Sequence, residues 1–139
     1  MSANSRLTIA IHILSYLVAV EKKRPDPVTS EQLASSVATN PVVIRRMLGH
    51  LRRAGIVVSR RGANAGWNLA RSADAITLLD VYQAVEGKAL FAMHSSPPNP
   101  NCRVARGLKP ALGRIYGGLE AQMKRELART TIAQVLPEA

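Results

Sequence analysis

Apolar positions along the chain fall into stretches of different period, and the changes of period divide it into elements. From residue 5 to 20 apolar side chains recur at helical spacing on two faces. Leu7, Ala10, Leu14 and Leu17 form one stripe; Ile9, Ile13, Tyr16 and Val20 form the other. A helix that is apolar nearly all round must be buried nearly all round, so one stripe is expected in the chain's own core and the other against a partner subunit. His12 lies between the stripes, where a buried, hydrogen-bonded histidine is expected. Pro25-Asp26-Pro27 ends the segment.

Thr29-Ser30-Glu31-Gln32 then has the spacing of a capping box, with Thr29 as N-cap and Gln32 reaching back. Leu33, Ala34 and Val37 give this short helix its inner face, and Thr39 and Asn40 make a turn. Asn40-Pro41 opens the next helix with a good N-cap and a proline at the first helical position. Here Ile44, Met47, Leu48 and Leu51 align as the core stripe, while Val42, Arg45, Arg46, Gly49, Arg52 and Arg53 share the opposite face. Gly55 stands where a left-handed residue closes a helix.

The period then drops to two. Ile56 to Arg60 and Trp67 to Arg71 are predicted to pair as strands, with Ile56, Val58, Trp67 and Leu69 facing inward and Trp67 packed under the hairpin. Arg61 to Gly66 form a tip of small residues on a basic stem. Thr77 to Glu86 is a further helix, capped by Thr77 with Asp80 three residues on and stopped by Gly87. His94 to Asn101 is loop by composition. Leu108, Leu112, Ile115, Leu119, Met123 and Leu127 mark one stripe of a long final helix whose far face is polar, a pattern suited to dimerisation.

Charge gives this framework a direction. The chain has 139 residues and a formal charge of +10. From Pro41 to Arg71 there are seven arginines (Arg45, Arg46, Arg52, Arg53, Arg60, Arg61 and Arg71) and no Asp, Glu or Lys. A solvated face usually mixes signs, so this window points to a polyanion. The expected fold is mainly α with a small β-hairpin wing: a winged helix-turn-helix plus a long C-terminal dimerisation helix. Residues 1–87 form the DNA-binding region, 88–106 a loop that is a candidate sensor segment, and 107–139 the dimerisation helix and tail, in one structural domain overall. Thr39, Asn40, Pro41, Val42, Arg45 and Arg46 sit at the end of the second helix that would meet base edges, where arginine pairs with the acceptors of guanine. Arg52 and Arg53 are placed for the phosphate backbone, with His50 as a weaker phosphate contact, and Arg60 and Arg61 for the minor groove beside the wing.

Composition excludes other classes. Three histidines, one cysteine and no clustered carboxylates supply neither a catalytic triad nor a metal site, so an enzyme is not expected. The apolar run from Leu7 to Val20 is about 14 residues, short of the roughly 20 that span a bilayer, and no cleavage site follows it, so no membrane association is expected. A single cysteine fits a reducing cytoplasm.

Ser5-Arg6 ahead of the apolar first helix, the helix pair ending LRRAG, the wing RRGANAGWNLAR and the segment ITLLDVYQAVEG from Ile76 to Gly87 together resemble the Rrf-two family of bacterial winged-helix regulators. The resemblance covers about residues 5 to 128. It implies a homodimeric repressor on a palindromic or pseudo-palindromic double-stranded DNA operator, with the long helix crossing between subunits. It also implies functional roles for Asn40, Pro41 and Arg45 at the start of the recognition helix and for Arg60 and Arg61 in the wing. Many members hold an iron–sulfur cluster on three cysteines before the dimerisation helix. This chain has only Cys102 there, and between Lys88 and Leu119 no Asp or Glu and only His94 as a further donor. Such clusters need thiolate-rich coordination, so no cluster and no other cofactor is expected. Arg103 and Arg106 follow Cys102, and neighbouring positive charge favours the thiolate; Cys102 is therefore a candidate redox sensor, with an incidental cysteine as the alternative. The rival functions are a non-specific basic protein of RNA or nucleoid and an adaptor that uses the winged region to hold a protein.

Overall fold

The computed structural model describes residues 5–86, 88–94 and 96–136. The elements run α1 (Ser5–Glu21), α2 (Ser30–Val37), α3 (Pro41–Arg53), β1 (Val57–Arg60), β2 (Gly66–Leu69), a single 3-10 turn (Ala73–Ala75), α4 (Leu78–Val85), α5 (Arg103–Ala128) and α6 (Ile132–Val135). Gly87, expected to stop α4, and Ser95 of the expected loop lie outside the described residues. No helix among those described is long and apolar enough to cross a membrane. The described residues form two compact units, one built from 5–86 together with 127–136, the other from 88–94 and 96–126.

In the first unit α1 is the hub. Ala10, Ile13, Leu14 and Leu17 are sealed from solvent, and the helix packs against α2, α3, α4, α6 and β2. The second stripe is only half covered at Ile9, Tyr16 and Val20. His12 is a correction: it is exposed, although its Nε2 does meet Ser36 Oγ at 2.9 Å. Seating Ile13 and Leu14 in the core turns the preceding position outward, where the ring finds a hydroxyl on α2 instead of a buried partner.

The helix ends follow from side chains close in sequence. Thr29 Oγ1 accepts from Gln32 N at 3.2 Å, and Gln32 Oε1 accepts from Thr29 N at 2.8 Å, closing the capping box. After α2 the turn is made by Ala38 in the left-handed region (φ 61°), with Ala38 N and Thr39 N both donating to Ala34 O. A Cβ there costs on the order of 1 kcal/mol relative to the right-handed form. At the end of α3, Gly55 N donates to Arg52 O and Ile56 N to Leu51 O, with Gly55 at φ 74°. This is a Schellman closure, and its apolar pair, Leu51 with Ile56, is fully buried.

That closure also explains a second correction. Ile56 belongs to the helix ending, so strand alternation begins at Val57. Val57 is buried and pairs with Leu69, whereas Val58 is 40% exposed and pairs with Asn68. Trp67 and Leu69 do share the face of Val57, as two-residue alternation requires. Val28 adds an isolated bridge on the far side of β2, exchanging hydrogen bonds with Trp67 at 3.0 and 2.8 Å.

The C-terminal tail is not an appendage. Leu78 N donates to Thr130 O, Ile132 N donates to Ile76 O, and Ile132 is 2% exposed in the same core as α1. Ile132→Ala should therefore lower stability by about 2–4 kcal/mol, read as a lower thermal-unfolding midpoint. An unchanged midpoint would show that the tail does not complete the core.

In the second unit α5 starts at Arg103, earlier than the boundary expected at residue 107, and runs through Pro110. Arg103 and Arg106 thus lie in the helix and not in the loop. Phe91 stacks on Tyr116 with centroids 4.8 Å apart. No residue of α5 is buried; Val104 is 71% and Ile115 56% exposed, with Leu108 and Leu119 also open.

Candidate nucleic-acid interface

One face of α3 fixes it and the other is left for a partner. Ile44, Met47, Leu48 and Leu51 are fully buried, which holds the rotation of the helix about its own axis. Pro41, Val42, Arg45, Arg46, Arg52 and Arg53 are consequently exposed. Asn40 Oδ1 accepts from Val42 N at 2.8 Å as the N-cap, so its carbonyl is committed to the helix while its amide remains a donor. Thr39 is half-buried in the turn. Among the described residues no hydrogen bond or ion pair holds the guanidinium of Arg45, Arg46 or Arg61.

The outward cations split into two rows at helical spacing. Arg45 and Arg52 form the first row, and Arg52 lies over the Trp67 ring of the wing, 5.8 Å from its centroid. Such a stack orients the guanidinium without neutralising it. Arg46, His50 and Arg53 form the second row, with Arg53 Nη2 donating to His50 Nδ1 at 2.8 Å. Arg6 of α1 reaches the same ring, its Nη2 3.4 Å from His50 Nε2. Burial, then Arg53, Arg6 and Arg46, hold the His50 pKa below the ordinary histidine value.

The wing is stiff at its stem. Arg60 Nε donates to Asn68 Oδ1 at 2.8 Å, and Asn68 Nδ2 donates to Pro25 O at 3.4 Å. Glu21 at the end of α1 accepts from Leu69 N at 3.1 Å. Arg61 is exposed at the start of the tip, beside Gly62 at φ 94°. Between α2 and the wing runs an open cleft of about 320 Å³ lined by Ser30, Glu31, Arg52, Arg60, Arg61 and Trp67.

Ten residues were expected at the nucleic-acid surface: Thr39, Asn40, Pro41, Val42, Arg45, Arg46, Arg52, Arg53, Arg60 and Arg61. They all lie in the helix pair or the wing of the first unit. The seventh arginine of the basic window has an acidic neighbour. Arg71 is 3.7 Å from Asp80 and donates to Ala75 O at 3.2 Å. The window lacks acid in sequence but not in space, since Asp80 comes from α4 and Glu31 from α2. Sequence reasoning gave His50 only a weak role and Arg6 none at the surface. The spacing of Arg46, His50 and Arg53 was visible, but Arg6 is 44 residues from its partner.

A short helix, a tight turn, a second helix with an outward cationic face and a two-stranded wing define a winged helix-turn-helix, the DNA-binding fold of transcriptional regulators. Residues 3–138 match the family model Rrf2, described as iron-dependent transcriptional regulators, and the chain belongs to that family. It is similar to YwnA of Bacillus subtilis (strain 168), a protein assigned to the HTH-type transcriptional regulators, with 42% identity over 96% of each chain. A crystal structure of a protein assigned as DNA-binding is 38% identical, covers 95% of this chain and 99% of its own, and superposes with a TM-score of 0.75. A Lactobacillus plantarum protein assigned as a transcriptional regulator shares the fold with a TM-score of 0.81 at 23% identity, covering 96% of this chain and 89% of its own. The protein is thus a transcriptional regulator of the Rrf2 family with a DNA-binding fold, and not an enzyme.

The residues present do not fit the three-cysteine iron–sulfur group that the resemblance implies for many members. The chain has one cysteine. Cys102 alone cannot provide the thiolate-rich coordination that such a cluster needs.

Proposed function

We propose that this chain works as a homodimeric repressor in the cytoplasm, reading a pseudo-palindromic duplex site with no cofactor. In this reading the N-terminal half of α3 enters the major groove and the wing follows the adjacent minor groove. The observation behind it is that Arg45 and Arg46 stand exposed and without an acidic partner among the described residues, on a helix whose opposite face is locked into the core. The dimer rests on the apolar face of α5, where Leu108, Ile115 and Leu119 remain open to solvent.

Duplexes selected from a random pool should bind at least about a thousandfold more tightly than unselected duplex at fixed salt. Equal affinity for both, or a preference for RNA, would replace the regulator with a non-specific basic protein. Loss of all nucleic-acid binding would favour the adaptor.

The same proposal gives Cys102 the sensing role. It is half-exposed immediately before α5, its carbonyl accepts from Arg106 N at 3.0 Å, and Arg103 follows it. Oxidation there would bear on the first turn of the helix proposed to join subunits. Treatment with hydrogen peroxide should weaken DNA binding by the wild type and leave Cys102→Ser unaffected. If the variant responds as the wild type does, Cys102 is incidental.

A further inference from the structure

Around the C-terminal half of α3, the first unit has more hydrogen-bond donors than acceptors. His50 meets a guanidinium at each ring nitrogen: Arg53 Nη2 at Nδ1 (2.8 Å) and Arg6 Nη2 at Nε2 (3.4 Å). A neutral imidazole has one acceptor nitrogen and one donor, and an imidazolium has only donors. In either state at least one guanidinium therefore faces a nitrogen that cannot accept from it. The mismatch continues at Arg6, whose Nε is buried without a hydrogen-bond partner among the described residues. Arg46, Arg53 and Arg6 all act on the His50 charge, and none of the three takes part in the ion pairs found among the described residues. A cluster of this kind lacks an acceptor-rich anion.

We infer that Arg6, His50 and Arg53 form a clamp for one backbone phosphate of the bound duplex, joining the start of α1 to the recognition helix. This rests on the proposed DNA-binding function and adds to it a contact from an element outside the helix pair and wing. Reach decides the occupant. The 13 residues of α3 extend about 20 Å, whereas the major groove is about 12 Å wide. With Val42, Arg45 and Arg46 in the groove, residues one and two turns further on lie over its phosphate rim. A phosphate offers several acceptor oxygens to converging donors, which would satisfy Arg6 and relieve His50. Because the phosphate favours the imidazolium, docking takes up a proton.

The charged groups acting on His50 are Arg53 and Arg46 from its own helix and Arg6 from α1. In the free protein all three oppose its protonation; in the complex the phosphate offsets them. Duplex affinity should therefore rise as pH falls from 8 to 6. The free protein behaves in the opposite sense. Its folded-state pKa is depressed, so the unfolded chain binds the proton more readily and stability falls as pH drops below the ordinary histidine value of about 6.5.

The test uses the full chain and a random-sequence 30-base-pair duplex, because a phosphate contact carries no sequence preference. Arg6→Gln should weaken binding about fivefold or more near 0.1 M salt and lower the slope of log affinity against log salt by about one. Arg6→Lys should restore most of the slope. His50→Gln should flatten the rise in affinity between pH 8 and pH 6. A wild-type salt slope in Arg6→Gln, or an undiminished pH dependence in His50→Gln, overturns the clamp. If the wild type binds no duplex at all, the failure belongs to the proposed function and not to the clamp alone.

Discussion

Replacing Arg45 with alanine should cost selected-site affinity by about 1–3 kcal/mol, a roughly 5- to 150-fold loss, while changing affinity for random duplex far less. Arg45 is exposed near the N-terminal end of α3, with no partner among the described residues to compete for its guanidinium. Fixed hydrogen-bond donors directed at a base edge discriminate sequence, whereas phosphate contacts hold all sequences alike. The loss should therefore appear as a smaller ratio of selected to random binding, with sequence preference relaxed at one position of each half-site. Stability should stay within about 0.5 kcal/mol, as expected for an exposed residue away from caps and core. Measured side by side by competition anisotropy, Arg71→Ala should leave the ratio intact, because Arg71 is engaged by Asp80 and Ala75. An Arg45→Ala protein with an unchanged ratio would remove α3 from the recognition role.

Gly66→Ala should act through the scaffold instead. Gly66 opens β2 at φ 149°, and a Cβ built there would lie 2.8 Å from Val28 O and 2.9 Å from Pro27 Cβ. The nearest obstacle is backbone, and that same carbonyl accepts from Trp67 N at 2.8 Å. The chain cannot yield without loosening the bridge that fastens β2 to the segment before α2. Strain and overpacking together should destabilise the fold by about 2–4 kcal/mol. Because Arg60 and the Arg52–Trp67 stack depend on the same strand, the wing contribution to duplex binding should fall as well. Gly62→Ala is the contrast. It also has positive φ, at 94°, but open space around it, so its cost should be confined to local strain in the tip. Equal melting points for the two variants would show that the Val28 contact does not hold the wing.

Several features were legible because their causes lie within a few residues of one another. Thr29 with Gln32, Asn40 with Val42, Thr77 with Asp80, and Leu51 with Ile56 are all closed by hydrogen bonds or contacts spanning five positions or fewer. The apolar stripe of α3 follows from helical period, and that stripe by itself fixes which arginines face outward. Where two local signals met, sequence reasoning slipped by one position. Ile56 closes a helix and adjoins a strand, and counting the alternation from it turned Val58 the wrong way. The site was legible as a set of exposed cations but not as a set of contacts. Nothing in the vicinity of Arg71 announces Asp80, and nothing near His50 announces Arg6.

By itself, then, the sequence determined where the helices of the DNA-binding half begin and end, which face of α3 carries unpaired charge, and that one cysteine cannot supply a three-cysteine cluster. These rest on hydrogen bonds within a turn, on the 3.6-residue period and on composition. The tertiary structure alone decided that the tail returns Ile132 to the core beside α1, that Asp80 lies beside the Arg71 guanidinium, that Trp67 orients Arg52, and that Arg6 meets the far end of α3. Except for the nearer Arg71–Asp80 pair, each joins residues separated by a dozen positions or more. Such pairs have no periodic or local signature, because they meet only once the packing of α1 against the other helices has fixed where each chain segment lies.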